Sequence, residues 1–324
     1  VYVNNVLRPI FQQTVGLLSG QRANGKLLVL TYHRVFEEYD EIVDEIDAVQ
    51  FTQQMETLSK YFNVLSLEEG LRQVRSGKVV PGAVCITFDD GYKDNYDVAL
   101  PILQALNLPA TFFVATGYLG NGMMWNDVVI EAVKRTELID LDLAELSLDK
   151  YAITSTQQKR TLLGVLINRW RNQPLDKRNQ LALKLSQIAQ VKFNQRVMMN
   201  QDEVKQLSDA GMEIGGHTVN HPILASTNIQ DARYEVEEGK AQLERITGKE
   251  LRYFAYPSGR VDKDYRQEHK EIVEQAGFSA ALTTNNGAID QHAGMFELPR
   301  ISIDYTNKFK FGASLARGYV QYAN

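Results

Sequence analysis

Only one cysteine, Cys85, occurs in 324 residues, which excludes an intrachain disulfide. It sits inside an apolar stretch and reads as a small buried hydrophobe. No run reaches the roughly 18 consecutive apolar residues of a membrane-spanning helix. Positive charge is not in excess either: 35 Lys and Arg against 40 Asp and Glu leave a net charge of −5, the wrong sign for a nucleic-acid footprint. Internal repeats and low-complexity tracts are missing. No basic-then-apolar leader opens the chain, and residues 6–18 read instead as a weakly amphipathic helix within a helical segment spanning 1–25. Because the chain starts at valine, earlier removal of a leader stays open, as do cell envelope, periplasm and cytoplasm as its compartment. Oligomeric state is not legible. What is present, 44% hydrophobic and 23% charged residues, is ordinary for a globular protein.

The most informative stretch is Ala83-Val84-Cys85-Ile86-Thr87-Phe88-Asp89-Asp90-Gly91-Tyr92. An apolar run without alternation reads as a parallel strand buried on both faces. Two adjacent carboxylates at its end raise each other's cost of ionisation, and a nearby cation would remove that cost. A metal ion suits this, with one Asp as ligand and the other free as a base. The bland alternative is a solvated Asp-Gly turn.

A second apolar strand over 26–33 likewise ends in a potentially reactive residue, His33. Strands and helices then alternate. Helices are expected over 51–61, 94–107, 201–210, 231–247 and 264–276, and strands over 63–67, 110–115, 212–215, 251–256, 279–284 and 298–303. Ser66 and Glu69 read as a capping box. Residues 121–198 break the alternation with helical pattern and few strands, and read as a helical insertion into a catalytic domain spanning 26–324. This order predicts an α/β fold, a distorted (β/α) barrel of about seven parallel strands. In such a barrel, residues just after strands gather at one face.

The second cluster, Gly215-Gly216-His217-Thr218-Val219-Asn220-His221-Pro222, also follows a strand. Pro222 biases His221 away from helical geometry, so a strand-to-loop turn that converges the two rings is expected. Two neutral imidazoles and one carboxylate make a divalent-metal site, suited to Zn²⁺ and open to other first-row metals. Two incidental histidines are the alternative.

Thr87-Phe88-Asp89-Asp90-Gly91 and His217-Thr218-Val219-Asn220-His221 resemble the first two signature motifs of the polysaccharide deacetylase family (carbohydrate esterase family 4). The resemblance continues through Phe254-Ala255-Tyr256-Pro257-Ser258-Gly259. Tyr32-His33-Arg34-Val35 and Leu298-Pro299-Arg300-Ile301 are similar to the subgroup that contains poly-N-acetylglucosamine deacetylases. The resemblance implies a hydrolase that removes N-acetyl groups from amino sugars of a cell-envelope or extracellular polysaccharide or its precursor. It implies Asp90, His217 and His221 as ligands of Zn²⁺, or of Co, Ni, Fe or Mn, with Asp89 as base. It implies the backbone N–H of Ser258, beside Pro257, as oxyanion donor. A purely structural turn at Pro257-Ser258-Gly259 is the alternative.

The sequence departs from the family's pattern in two places. No late Leu-His pair supplies a general acid, leaving His33 first and His292 second, with His33 as a hydrogen-bonded core residue the third possibility. No arginine adjoins Pro257 to brace the base: Arg252 lies five residues before it, and Arg300 is expected to pair with Asp89, or else to form an ordinary surface ion pair. Tyr92, Tyr256, Trp125 and Tyr32 could stack on sugar rings or be core. His269 reads as a solvated surface residue. Asp264 and Asp304 are marginal candidates for a supporting role. The competing functions are a related amidase acting on a small linear or cyclic amide, and a metal-free glycan-binding relative.

Overall fold

The computed structural model describes residues 25–303 except Asp44 and Asn121, with short stretches within 311–319. The helical segment expected before residue 25 and Asp304 lie outside the described residues.

β1 (Leu27–Tyr32) and β3 (Ala83–Phe88) are buried at every position, as apolar strands covered on both faces must be. Between them run α1 (Ala48–Tyr61), the two-residue β2 (Asn63–Val64) and α2 (Leu67–Arg75). The Asp47 side chain caps α1 by accepting from the Gln50 N–H at 2.7 Å, which satisfies an otherwise unpaired helix donor. Phe51, Met55 and Leu58 form its buried stripe. The Phe51 ring meets Tyr32 at 5.4 Å and Phe88 at 5.8 Å, so Phe51→Ala would cost about 3–5 kcal/mol. On α2 only half of the expected capping box forms: Ser66 accepts from the Glu69 N–H, while the Glu69 carboxylate turns to Arg72 and Gln73.

After β3 a π-helical turn, Asn95–Ala99, runs into α3 (Leu100–Ala105), followed by β4 (Thr111–Val114). The insertion comes next, with α4 (Trp125–Arg135), β5 (Asp140–Asp142), β6 (Lys150–Ala152), α5 (Thr156–Trp170) and α6 (Leu175–Ile188). Alternation resumes with α7 (Gln201–Asp209), β7 (Glu213–Gly216), α8 (Ile229–Thr247), β8 (Tyr253–Ala255), α9 (Gln267–Gln275), β9 (Ala280–Asn286) and β10 (Leu298–Ser302).

Seven strands close a parallel ring in the order β1-β10-β9-β8-β7-β4-β3 and back to β1, with β2 flanking the first residues of β3. This is the distorted (β/α) barrel. Arg300 on β10 reaches Thr87 on β3 and lies over Phe113 on β4. These strands are not all neighbours, so the three side chains meet inside the barrel. Alternation then sends Thr87 and Asp89 inward and Phe88 outward. At the N-terminal end of the strands α2 packs Leu67, Leu71 and Val74 against Leu27, Cys85 and Leu282. A Cβ on Gly70 would stand 2.8 Å from a Leu27 methyl and 2.9 Å from the Cys85 sulfur, so the helix can sit this close only with glycine there.

The insertion has its own apolar cluster, which includes Val129, Val133, Leu141, Leu162, Leu166, Trp170 and Leu185. The antiparallel β5–β6 hairpin is an element the sequence reading missed. Its strands are three residues long, too short for a period-2 pattern to register. Both ends of the insertion return to the loop after β3: Met198 bridges Tyr92, and the Gly120 N–H donates to the Met199 carbonyl at 2.7 Å. The insertion is thereby anchored where the barrel strands end.

Candidate active site

β3 delivers Asp89 and Asp90 to the C-terminal face. Asp90 holds φ at +77° and Gly91 at +91°, and a Cβ on Gly91 would meet a Val114 methyl at 2.9 Å. This turn points Asp89 into the barrel and Asp90 toward the loop after β7. There Thr218 and His221 also have positive φ, as does Ser258 after β8. Four of the eight non-glycine residues with positive φ among the described residues thus lie in the loops after β3, β7 and β8. Each costs about 1–3 kcal/mol and persists only where its surroundings over-determine it.

Those surroundings are visible. The Glu235 carboxylate, buried on α8, accepts from the N–H groups of Val219 at 2.9 Å and Asn220 at 2.7 Å, and from the Asn220 amide at 2.8 Å. The Thr218 hydroxyl accepts from the His221 N–H at 3.0 Å. One turn further along α8, a Cβ on Gly239 would stand 3.0 Å from the Thr218 backbone, so helix and loop are in close contact. Glu235 was missed in the sequence; its signal is a carboxylate four residues before a glycine on one helix face.

The loop turns both imidazoles toward Asp90, with ring centroids 4.8 Å apart. The Nε2 atoms of His217 and His221 lie 3.4 and 3.3 Å from Asp90 Oδ1. His217 places Nδ1 2.7 Å from the Ala255 carbonyl, so it donates there and turns a bare Nε2 to the site. Burial pulls the His221 pKa down to about 4, which keeps that ring neutral. Burial also opposes protonation of His217, but the carboxylates of Asp90 and Asp89 outweigh it and raise its pKa. Burial pushes Asp90 up, yet the adjacent histidines hold it well below the usual carboxylate range. Asp90 Oδ1 has no hydrogen-bond partner among the described residues.

A buried orphan carboxylate oxygen faced by two ring nitrogens is a poor arrangement unless a cation completes it. The three ligand atoms lie within 4.8 Å of one another. This donor set fits a divalent metal ion.

Asp89 is answered differently. Arg300, fully buried, donates from both terminal nitrogens to its two oxygens at 2.7 and 2.6 Å. Burial pushes the Asp89 pKa up, and the guanidinium outweighs this and holds it below the ordinary value. Ser258 is pinned through its carbonyl, which accepts from the Thr284 hydroxyl at 2.6 Å, while the Thr284 N–H donates to Gly259 at 3.0 Å. His33 follows β1 at the same face and is exposed, next to Tyr32, whose carbonyl accepts from the Asp89 N–H at 3.0 Å.

Other sequence expectations are corrected. Tyr92 is buried and its hydroxyl donates to Asp127 Oδ1 at 3.0 Å; burial raises that carboxyl to about 7. Tyr256 is fully buried and stacked on Tyr265 at 3.8 Å. It follows inward-facing Ala255, so alternation turns it out of the barrel. Trp125 is buried in the insertion core. None of these three presents a free ring face to a sugar, and Tyr32 is likewise core, with its hydroxyl on Gln54. His269 is buried rather than solvated, with Nδ1 accepting from the Arg266 N–H at 3.0 Å in the first turn of α9. His292 lies in the segment from β9 to β10, where Ile289 bridges Leu27 at the start of β1. That is the opposite end of the barrel from Asp89. Arg252 sits at that end too, bridging Glu68 and Glu213. Asp264 is buried and bound by Arg260.

The closed parallel barrel thus carries at its C-terminal face an Asp–His–His cluster that could hold a metal ion, beside an arginine-held carboxylate. The polysaccharide deacetylase family model matches residues 76–141 and 182–280, about half of the chain, and the chain belongs to that family. A Bacillus subtilis protein described as a polysaccharide deacetylase, YxkH, is 21% identical over 280 residues, which cover 86% of this chain and 71% of the relative. The Staphylococcus aureus poly-β-1,6-N-acetyl-D-glucosamine N-deacetylase is 30% identical over 128 residues, covering 35% of this chain and 43% of the relative. The Streptococcus pyogenes deacetylase PplD shares the fold, with a TM-score of 0.61 at 21% identity over 90% of this chain and 98% of that one. Among the described residues no helix is long and apolar enough to cross a membrane.

Proposed function

We propose that this protein is a divalent-metal-dependent hydrolase that removes N-acetyl groups from amino sugars of a cell-envelope or extracellular polysaccharide or its precursor. The observation that carries the reading is the Asp90–His217–His221 cluster with Arg300-clamped Asp89 beside it. Family membership and the N-acetylglucosamine polymer named for the staphylococcal relative support the substrate class.

Asp90, His217 and His221 would hold the cation, zinc by the softness of the two imidazoles, with Co, Ni, Fe or Mn also compatible. When bound, it supplies Lewis acidity toward a carbonyl oxygen and a water. Asp89 takes the proton of the attacking water. Arg300 keeps Asp89 ionised and fixes its two oxygens, so the base is charged at neutral pH and stays in place. The Ser258 N–H, which makes no hydrogen bond among the described residues, donates to the oxyanion as it develops. His33 gives a proton to the departing amine nitrogen.

Acetate release from N-acetylglucosamine oligomers tests this, with and without chelator, for wild type and Asp89→Asn. Release that is abolished by chelator, restored by Zn²⁺ and lost in the variant is expected. Metal binding with no release from any N-acetylated sugar would overturn it in favour of a small-amide substrate.

A further inference from the structure

Two arginines are buried among the described residues, Arg300 and Arg178. Arg300 is fully answered by the Asp89 carboxylate. Arg178, on insertion helix α6, is 4% exposed, yet its Nε has no hydrogen-bond partner. No described residue accepts from its terminal nitrogens, and it forms no ion pair with them either. Its guanidinium carbon lies over the Trp125 ring, 5.4 Å from the centroid, a cation–π contact that satisfies no N–H. Burial lowers its pKa, but a guanidinium stays charged at any ordinary pH. A buried guanidinium whose Nε finds no acceptor is a costly arrangement, and an anionic group that reached its terminal nitrogens would answer it.

Its place in the fold says where the acceptor would come from. Trp125 follows Met124, which packs with Tyr118, and the Tyr118 hydroxyl donates to the Asn220 carbonyl at 2.9 Å; Asn172, in the turn before α6, lines a cavity with Ile223 and Ala225 just after His221. The guanidinium therefore lies at the seam between the insertion and the loop that carries His217 and His221. The carboxylates around that loop are already engaged. Asp89 is held by Arg300, Asp90 faces the two histidines, and Glu235 is occupied by the Val219 and Asn220 amides. No protein anion is left for Arg178 among the described residues. Its planar fork matches a carboxylate or a phosphate.

We infer that Arg178 is a specificity residue that binds an anionic oxygen group, carboxylate or phosphate, carried by the glycan next to the acetamido sugar being hydrolysed. This rests on the deacetylase reading and sharpens it: the preferred substrate is an anionic glycan rather than a neutral N-acetylglucosamine polymer. The insertion supplies the selective contact, over Trp125, while the barrel supplies the reacting groups.

The experiment compares neutral N-acetylglucosamine oligomers with matched oligomers bearing a carboxylate (an N-acetylmuramic acid unit) or a phosphate (a terminal N-acetylglucosamine 1-phosphate). Wild type, Arg178→Gln and Arg178→Lys are assayed for acetate release, and binding of each oligomer to chelated protein is measured by calorimetry. For wild type, a KM at least about tenfold lower is expected for one anionic class, the range for a charge-assisted hydrogen bond. Arg178→Gln should erase that advantage with kcat and neutral turnover unchanged, and Arg178→Lys should restore part of it. Which anionic oligomer gains identifies the group. Equal KM values for neutral and anionic oligomers in wild type would overturn the inference without any variant having to fold. So would a variant that weakens all substrates alike. Arg178-dependent calorimetric binding without acetate release from any oligomer would instead remove the deacetylase reading and leave the recognition standing.

Discussion

Each end of the barrel carries an arginine with two carboxylates, and the two trios behave in opposite ways. At the N-terminal end Arg252 bridges Glu68 and Glu213 with its side chain 38% exposed. At the C-terminal end Arg300 is 1% exposed and answers only Asp89, leaving Asp90 with two histidines and an orphan oxygen. Water shares the charges of Arg252 and Glu68, so that pairing is replaceable. At the other end burial leaves each charge to be answered by a specific partner, and the one left over is where, on the proposed function, an external cation would bind. The pKa values differ in the same sense. Arg300 holds Asp89 below its ordinary value, whereas burial of Glu213 outweighs its half-exposed arginine and lifts it to about 7.

Removing the buried partner should have the largest effect. Arg300→Met strands the Asp89 charge in the barrel, and a loss of about 3–5 kcal/mol is expected, read as a shift of the urea midpoint with the slope unchanged. Next is Glu235→Gln, which keeps the shape of the loop brace but weakens its charge-assisted bonds to Val219 and Asn220. Cation affinity should fall about 10- to 100-fold, as for outer partners of metal ligands, measured by competition with a chelating dye.

The pH dependence separates the two ends more finely. Glu213 has a raised folded pKa, so its contribution is full below the unfolded value and is lost as pH rises toward 7. Asp89 has a depressed one, so its contribution is present above the unfolded value and is lost on acidification. Glu213→Gln should therefore flatten the stability profile between mildly acidic and neutral pH without changing its acid limb, in melts run across that range. Arg252→Ala should do least, about 1 kcal/mol or less in the same melts, with acetate release unchanged.

The barrel could be read in the sequence because β1 and β3 are unbroken apolar runs with reactive residues at their ends. The gathering of Asp89, Asp90, His217 and His221 followed from those strand ends and from Pro222. What escaped was direction and partnership. Tyr92 and Tyr256 stand at strand ends, but whether each ring faces the site depends on one step of alternation and on partners far away in the chain, Asp127 and Tyr265. Glu235 and Arg178 sit among ordinary charged helix residues. Only packing distinguishes the carboxylate that braces a loop, or the arginine that lacks an acceptor, from neighbours facing water. His269 misled for the same reason: a charged helix sequence does not reveal that its first turn is covered.

The most direct measurement is calorimetric titration of Zn²⁺ into chelator-treated protein, for wild type, Asp90→Ala and Asp89→Asn. One equivalent bound by wild type and by Asp89→Asn, and lost in Asp90→Ala, is the expected result. Failure of wild type to bind, or equal binding by Asp90→Ala, would contradict the assignment of the orphan oxygen at the C-terminal end to a metal ion.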